Sequence, residues 1–224
     1  MPRGKRTLID EAKLPTGEVL TLTKESGYFM VRADGMPLMS NMAHYSEEYM
    51  AVIGCEGLKD KPDARVLVGG LGMGYTARAA LDQLGPTGTV VVGEISPTLV
   101  EWNRGPLADL ADRPLDDPRC ELALGDLVEY IADEPDPFDA ILIDTDHGPD
   151  SYCADGNVRL YSRKGLARIR DALKPKGIVV IWSAYQMPSF RGSLKRAGFK
   201  DDVWRVRSRG DKGGKHTLYI GRKP

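Results

Sequence analysis

Hydrophobic positions follow two regimes along this chain. From Arg65 onward, short apolar runs alternate with segments of helical periodicity: ARVLVGG, YTARAALDQL, GTVVVGEI, PTLVEWNR, RCELAL, DLVEYIADE, FDAILID, SRKGLARIRDAL, GIVVIW and FRGSLKRAG. The runs VLV, VVV, ILI and IVVIW are continuous rather than alternating, as expected for strands covered on both faces. Strands alternating with helices predict βαβ units, and hence an α/β fold with a mostly parallel, Rossmann-like sheet. The last two runs, DDVWRVRS and KHTLYIGR, flank a short turn at Gly210–Gly214 and predict an antiparallel hairpin that closes a seven-stranded sheet.

Before residue 58 the pattern changes. EVLTLTKE, YFMVRA and PLMSNM are separated by Ser26-Gly27 and Asp34-Gly35, which predicts a small antiparallel β-meander. Ser46 reads as an N-cap, with Glu47 and Glu48 as acidic first-turn residues, for a helix over YMAVIGCEGL that ends near Gly54 or Gly57. The polar stretch Lys59–Asp63 is the expected boundary between an N-terminal unit, residues 1–57, and the main domain, residues 64–224. A meander this small lacks a core of its own, so it is expected to pack on the main domain or on a second subunit, and a homodimer is the expected assembly. Met30, Met36, Met39, Met42 and Met50 fit that core or interface.

Composition narrows the function classes. With 42% hydrophobic and 28% charged residues, and 31 basic against 32 acidic side chains, the chain reads as a globular protein without the charge excess of a nucleic-acid binder. Basic residues near both ends, such as Arg3, Lys5 and Arg6 or Arg205, Arg207 and Arg209, read as solvated surface. Cys55, Cys120 and Cys153 form no CxxC pair, so neither a metal site nor a disulfide framework is expected, and a reducing cytoplasm fits. No apolar h-region follows the basic N-terminus, and no stretch approaches the roughly 18 apolar residues of a membrane span. The expectation is a cytoplasmic protein that neither crosses nor binds a membrane.

The candidate chemistry begins at Gly69-Gly70-Leu71-Gly72-Met73-Gly74, between a strand and a helix. Glycines in such a turn adopt positive φ and let a ligand approach the backbone and the helix N–H groups. Spacing separates the ligand classes. A dinucleotide fingerprint GxGxxG fails, because its last position falls on Tyr75, and a Walker loop fails at Gly74-Tyr75-Thr76. What remains is GxGxG over Gly70, Gly72 and Gly74, which resembles an S-adenosylmethionine-binding turn. Glu94 ends the next strand, roughly 20 residues on, where a carboxylate accepts hydrogen bonds from ribose hydroxyls, with Ile95 beside it. Gly125-Asp126 follows the third strand, so Asp126 either meets an adenine amino group or caps the next helix. Asp144 ends the fourth strand at the carboxyl edge of the sheet, where ligands of open α/β folds bind.

These motifs together resemble the spermidine synthase (polyamine aminopropyltransferase) family over roughly residues 20–185. VLVGGLGMGYTAR is similar to the family's glycine turn with its following Thr and Arg, here Thr76 and Arg78. GEIS is similar to its Glu-Ile-Asp, GDLVEYI to its Gly-Asp-Ala segment, and FDAILIDTDHGP to its Asp-Ser-x-Asp-Pro-x-Gly-Pro stretch. Tyr45-Ser46-Glu47 stands in for its Tyr-His-Glu. The resemblance implies a class I methyltransferase-like fold, a bound S-adenosylmethionine or its decarboxylated form, and catalysis at Asp144. Departures from the family pattern are specific: the DGMPLM segment has no Gln, the Asp-Glu pair before the tyrosine is missing, Ser46 replaces the His, and Ser96 replaces the Asp.

Alkyl transfer from a sulfonium depends mainly on positioning, together with removal of a proton from an amine nucleophile. Asp144 is the expected base, with Asp146 as the neighbouring carboxylate that raises its pKa and His147 as a further candidate. Tyr45 and Trp182 are the expected aromatic walls of the substrate pocket; Tyr75, Tyr152 and Tyr185 are further candidates. Because the departures fall where the family shapes its donor and polyamine sites, the leading expectation is an S-adenosylmethionine-dependent methyltransferase for a small amine-bearing substrate. Aminopropyl transfer is the alternative, and a non-catalytic nucleoside-binding protein is a third.

Overall fold

The computed structural model describes residues 6–14, 17–145, 149 and 159–224. Its centre is a seven-stranded sheet. Strands β5 (Arg65–Gly69), β6 (Thr89–Glu94), β7 (Cys120–Leu124), β8 (Phe138–Ile143) and β9 (Leu173–Ser183) run parallel, and the antiparallel hairpin β10 (Lys200–Arg209) and β11 (Lys212–Arg222) adds to β9. The spatial order is β10-β11-β9-β8-β5-β6-β7, so the chain winds one way from β5 to β7 and the other way from β8 onward. A crevice therefore opens above the carboxyl ends of β5 and β8, where ligands of open α/β sheets bind.

The continuous apolar runs have a direct structural cause. Alternate residues of each strand feed two separate cores: Val66, Val68, Val90, Val92, Ala140, Leu142 and Val180 on one face, Leu67, Val91, Ile141, Ile143, Val179 and Ile181 on the other. Helices α1 (Tyr45–Gly54) and α2 (Tyr75–Asp82) cover the first face through Met50, Ala51, Ile53, Ala77, Ala80 and Leu81. Helices α4 (Leu127–Asp133), α5 (Arg163–Asp171) and α6 (Pro188–Arg196) cover the second, with Val128, Ile131, Leu166, Ile169, Phe190 and Leu194 buried against the strands.

The N-terminal meander has four strands, β1 (Arg6–Lys13), β2 (Val19–Glu25), β3 (Tyr28–Ala33) and β4 (Met36–Ser40), paired in sequence order. The sequence predicts only the last three of these. Leu20, Leu22 and Val31 bury themselves with Met73 of the glycine turn, Leu99 and Trp102 of α3 (Pro97–Arg104), and Leu107. This third core fixes the meander as a roof over the crevice. Trp102 Nε1 adds a hydrogen bond of 2.7 Å to Asp10 Oδ2 on β1.

One expected cap is corrected. Helix α1 begins at Tyr45 with His44 at its N-cap and no side-chain cap bond. Ser46 lies inside the first turn and is completely buried, its hydroxyl turned to the sheet. Asp126 does cap its helix, accepting from Val128 N, and two caps not singled out in the sequence are Ser96, which accepts from Leu99 N, and Ser162, which accepts from Gly165 N.

At the opposite end of the sheet, buried Asp139 accepts from Lys61 Nζ at 2.5 Å, Lys174 Nζ at 2.7 Å and Arg65 N at 2.8 Å. Burial alone would raise its pKa, but these three donors together hold the carboxyl below the usual carboxylate value. A depressed folded-state pKa contributes stability that is complete above the unfolded value and is lost as pH falls through the folded one. Asp139→Asn is expected to cost about 2 kcal/mol at neutral pH, and to flatten the loss of stability below about pH 4. Urea unfolding of wild type and variant at neutral and acid pH checks both effects; parallel pH profiles would contradict them.

Candidate active site

Four strand ends, those of β5, β6, β7 and β8, build the site. After β5 the chain turns through Gly70, Gly72 and Gly74 with φ of +98°, +53° and +87°, so the glycine spacing reflects a backbone path that side chains resist. Gly70 is also packed against the next strand end: a Cβ there would lie 2.3 Å from the carbonyl oxygen of Asp144. Hydrogen bonds from Gly70 N to Gly93 O at 2.8 Å and from Asp144 N to Gly69 O at 2.7 Å lock the three chain segments side by side.

Glu94 stands at the centre. Its Oε2 accepts from Leu71 N at 2.9 Å, and its Oε1 accepts from Ser96 N at 2.7 Å. Each carboxylate oxygen has two acceptor sites, so two backbone bonds leave capacity for ribose hydroxyls. Asn103 Nδ2 braces the glycine turn from below, donating to Gly72 O at 2.8 Å and Leu99 O at 2.9 Å. Asp126 both caps α4 and lines the crevice, and it faces Arg159 at 3.3 Å. Of the two roles read for it from the sequence, the cap is therefore present, and its place in the lining leaves it on the cleft.

The crevice is a cleft of about 510 Å³. Its floor comprises Gly70, Gly72, Glu94, Ile95, Gly125, Asp126 and Asp144; Met30, Leu38 and Met39 of the meander form its roof. Gly74 is tucked against Pro114, Asn103 and Ala111 instead of lining the cleft. Trp182 lies in the wall, as expected. Tyr45 does not: it points away from the cleft, 39% exposed, and stacks on Tyr49 at 5.8 Å. The wall position is taken by Tyr75, whose ring stacks on His44 at 4.0 Å and 9°. Asp146, His147 and Tyr152 lie outside the described residues.

Two groups that the sequence reading named only within motifs, without a role in the reaction, complete the reactive end. Thr76, buried in the first turn of α2, donates to Asp144 Oδ2 at 2.6 Å and fixes that carboxylate at the mouth of β8. Glu47, from the first turn of α1, enters the same cleft. Burial, then the nearby charge of Asp144, pushes its pKa up to about 8, against the opposing bond from Ser46. The Tyr75 phenol is likewise pushed up to about 12, by burial and then by Glu48 and Glu47, and stays neutral. The Tyr-Ser-Glu match already contained Glu47; what the sequence lacked was its depth.

Strand order and topology define a Rossmann-like α/β protein of class I methyltransferase-like fold, with a glycine turn and acidic residues at its strand ends. More specifically, residues 38–190 match the family model of the spermine/spermidine synthase domain, and the chain belongs to that family. It is 35% identical over 129 residues to the polyamine aminopropyltransferase of Mycobacterium tuberculosis, covering 55% of this chain and 24% of that protein. It is 33% identical over 118 residues to the polyamine aminopropyltransferase of Pyrobaculum calidifontis, covering 51% and 39%. The matched segment thus spans well under half the length of these curated relatives. The fold is similar to spermidine synthase from Thermotoga maritima, with a TM-score of 0.76 at 19% identity over 97% of this chain and 73% of that one. A spermidine synthase crystallised with the transition-state analogue AdoDATO gives the same TM-score and identity, over 97% and 72%.

Glu94→Gln, which keeps an acceptor for one of the two backbone N–H groups and turns its NH2 to the other, is expected to fold with a smaller loss of stability than Glu94→Ala and to bind methylthioadenosine about tenfold or more weaker. Glu94→Ala strands two buried N–H groups and is expected to lose about 2–4 kcal/mol of stability as well. Calorimetric titration and thermal melts separate the two effects, and wild-type affinity in Glu94→Gln would contradict the ribose assignment.

Proposed function

We propose that this chain transfers an aminopropyl group from decarboxylated S-adenosylmethionine to a small cationic amine. The charge of the cleft carries this reading. Its described lining residues include four carboxylates, Glu47, Glu94, Asp126 and Asp144, and neither lysine nor arginine. S-adenosylmethionine brings a carboxylate on its methionine arm, which such a cleft leaves without a cationic partner. Removing that carboxylate leaves an ammonium arm, which four acidic groups favour. The aminopropyltransferase names of the relatives support the same choice, so methyl transfer, the leading expectation from the sequence, gives way to its alternative.

The roles of the residues follow from their positions. Glu94 and the N–H groups of the glycine turn hold the nucleoside, Asp126 faces its base, and Trp182 and Tyr75 supply aromatic surface for a cationic chain. Glu47 and Asp144 receive the acceptor's ammonium. Attack of the amine nitrogen on the carbon attached to sulfur forms the C–N bond; the C–S electron pair leaves with sulfur as a neutral thioether, and the proton lost by nitrogen needs an acceptor. An ordinary glutamate lies about 6 pH units below an alkylammonium in basicity. With Glu47 at about 8 the gap narrows to roughly 2. Asp144, pinned by Thr76, holds the positive charge in line while Glu47 accepts the proton.

Calorimetry should give a clear preference for decarboxylated S-adenosylmethionine over the intact form, and the reverse preference would sink the proposal. In turnover assays kcat/KM should rise as pH passes about 8, because the base must be ionised. Glu47→Gln should lower kcat by about a hundredfold and abolish that rise; an unchanged profile would remove Glu47 from the reaction.

A further inference from the structure

The serine that replaces the family's histidine is the centre of a hydrogen-bonded chain that no local motif announces. Ser46 Oγ meets Trp182 Nε1 at 3.1 Å, His216 Nδ1 at 2.8 Å, and the Oε2 of Glu47 through a very short contact. Ser46 is fully buried; Glu47, Trp182 and His216 all face the cleft. The His216 ring is held edge-on to Trp182 at 4.6 Å. An imidazole absent from position 46 is thus brought against the Ser46 hydroxyl by β11, 170 residues later.

Counting protons restricts what this chain can do. The indole N–H only donates, so Trp182 permanently occupies one lone pair of Ser46. The hydroxyl has a single proton to give. When Glu47 is ionised, that proton goes to the carboxylate, and His216 must present Nδ1–H to Ser46. When Glu47 is protonated, its own O–H donates to Ser46, the hydroxyl turns to His216, and Nδ1 must be bare with the ring proton on Nε2. With the carboxyl proton on Oε2, the atom in contact with Ser46, any other pairing sets two donors or two acceptors face to face in a buried site.

We propose that His216 is a positioning residue for Glu47, acting through Ser46, and that its tautomer is locked to the state of that carboxylate: Nδ1–H when Glu47 is ionised, Nε2–H when it carries a proton. The Nδ1–H form aims the Ser46 hydroxyl at Glu47 and readies the carboxylate to accept the ammonium proton. On that transfer nitrogen loses one proton and Glu47 gains it; His216 exchanges its Nδ1 proton for one on Nε2 through solvent and remains neutral. Burial pulls the imidazole below its ordinary basicity, in keeping with a neutral ring throughout. The titratable groups acting on Glu47 are Asp144 at the end of β8, Glu48 on its own helix, itself paired with His44, and Tyr75 on α2; Ser46 and Trp182 are the partners of His216.

This proposal rests on the aminopropyl-transfer reading for its catalytic meaning but not for its test. The chain has 3 histidines, so the imidazole nitrogens of the intact, nitrogen-15-labelled protein are resolvable by NMR, with His216→Asn assigning the signals. As pH passes upward through about 8, His216 should switch from Nε2–H to Nδ1–H, and Ser46→Ala should abolish the switch. A fixed tautomer, or a switch that survives in Ser46→Ala, would overturn the coupling whether or not the protein turns over. In diamine assays His216→Leu should lower kcat about tenfold with the donor KM unchanged, and His216→Asn, whose amide N–H can replace Nδ1–H, should restore most of it. Equal loss in both variants would reduce His216 to a wall residue. A wild-type protein that switches tautomer yet transfers nothing would instead refute the aminopropyl-transfer reading.

Discussion

One carboxylate joins the turn after β5 to the turn after β6. Glu94, 6% exposed, accepts a backbone N–H from Leu71 with one oxygen and from Ser96 with the other. Unpaired, each of these buried groups would cost about 1–3 kcal/mol, so the acid is required by the fold before any ligand arrives. The same bonds fix the glycine turn that Gly70 presses onto the backbone of Asp144, which in turn receives the Thr76 hydroxyl. The glycine turn, Glu94 and Asp144 are therefore set by one connected frame, which would meet the proposed ligand with little rearrangement.

The second organising fact is the sign of the cleft. Carboxylates gathered in one water-poor crevice raise one another's pKa unless something compensates. Here the compensation is unequal: backbone N–H groups serve Glu94, an arginine and a cap bond serve Asp126, and a threonine serves Asp144. Glu47 has a buried serine and its own backbone N–H against the combined effect of burial and Asp144, and its pKa is pushed up to about 8. On the proposed reading this unequal support separates binding carboxylates from a base, and the negative charge of the cleft favours cationic partners.

Much of this was legible in the sequence. The continuous runs VLV, VVV and ILI announce strands buried twice because alternate side chains fill two cores. Gly70, Glu94, Asp126 and Asp144 are found together because each ends a strand of a parallel sheet, and in such a sheet strand ends converge. Strand β1 escaped notice because RTLIDEAK is an exposed edge with no buried alternation to read. Ser46 looked like a cap because it precedes two glutamates, but its hydroxyl is committed to Trp182 and His216, contacts that no local pattern encodes. The sequence reading prefers Tyr45 to Tyr75 as a pocket wall, and helix phase reverses that choice, pointing Tyr45 outward and Tyr75 into the cleft.

The central claim is that an acidic cleft on this frame moves the three-carbon amine arm of a sulfonium nucleoside and not its methyl group. Mass spectrometry of a diamine acceptor after incubation with the protein and equal amounts of intact and decarboxylated S-adenosylmethionine tests this most directly. The account predicts an acceptor enlarged by one aminopropyl unit and release of methylthioadenosine. An acceptor enlarged by a methyl group, with S-adenosylhomocysteine as the co-product, would contradict it.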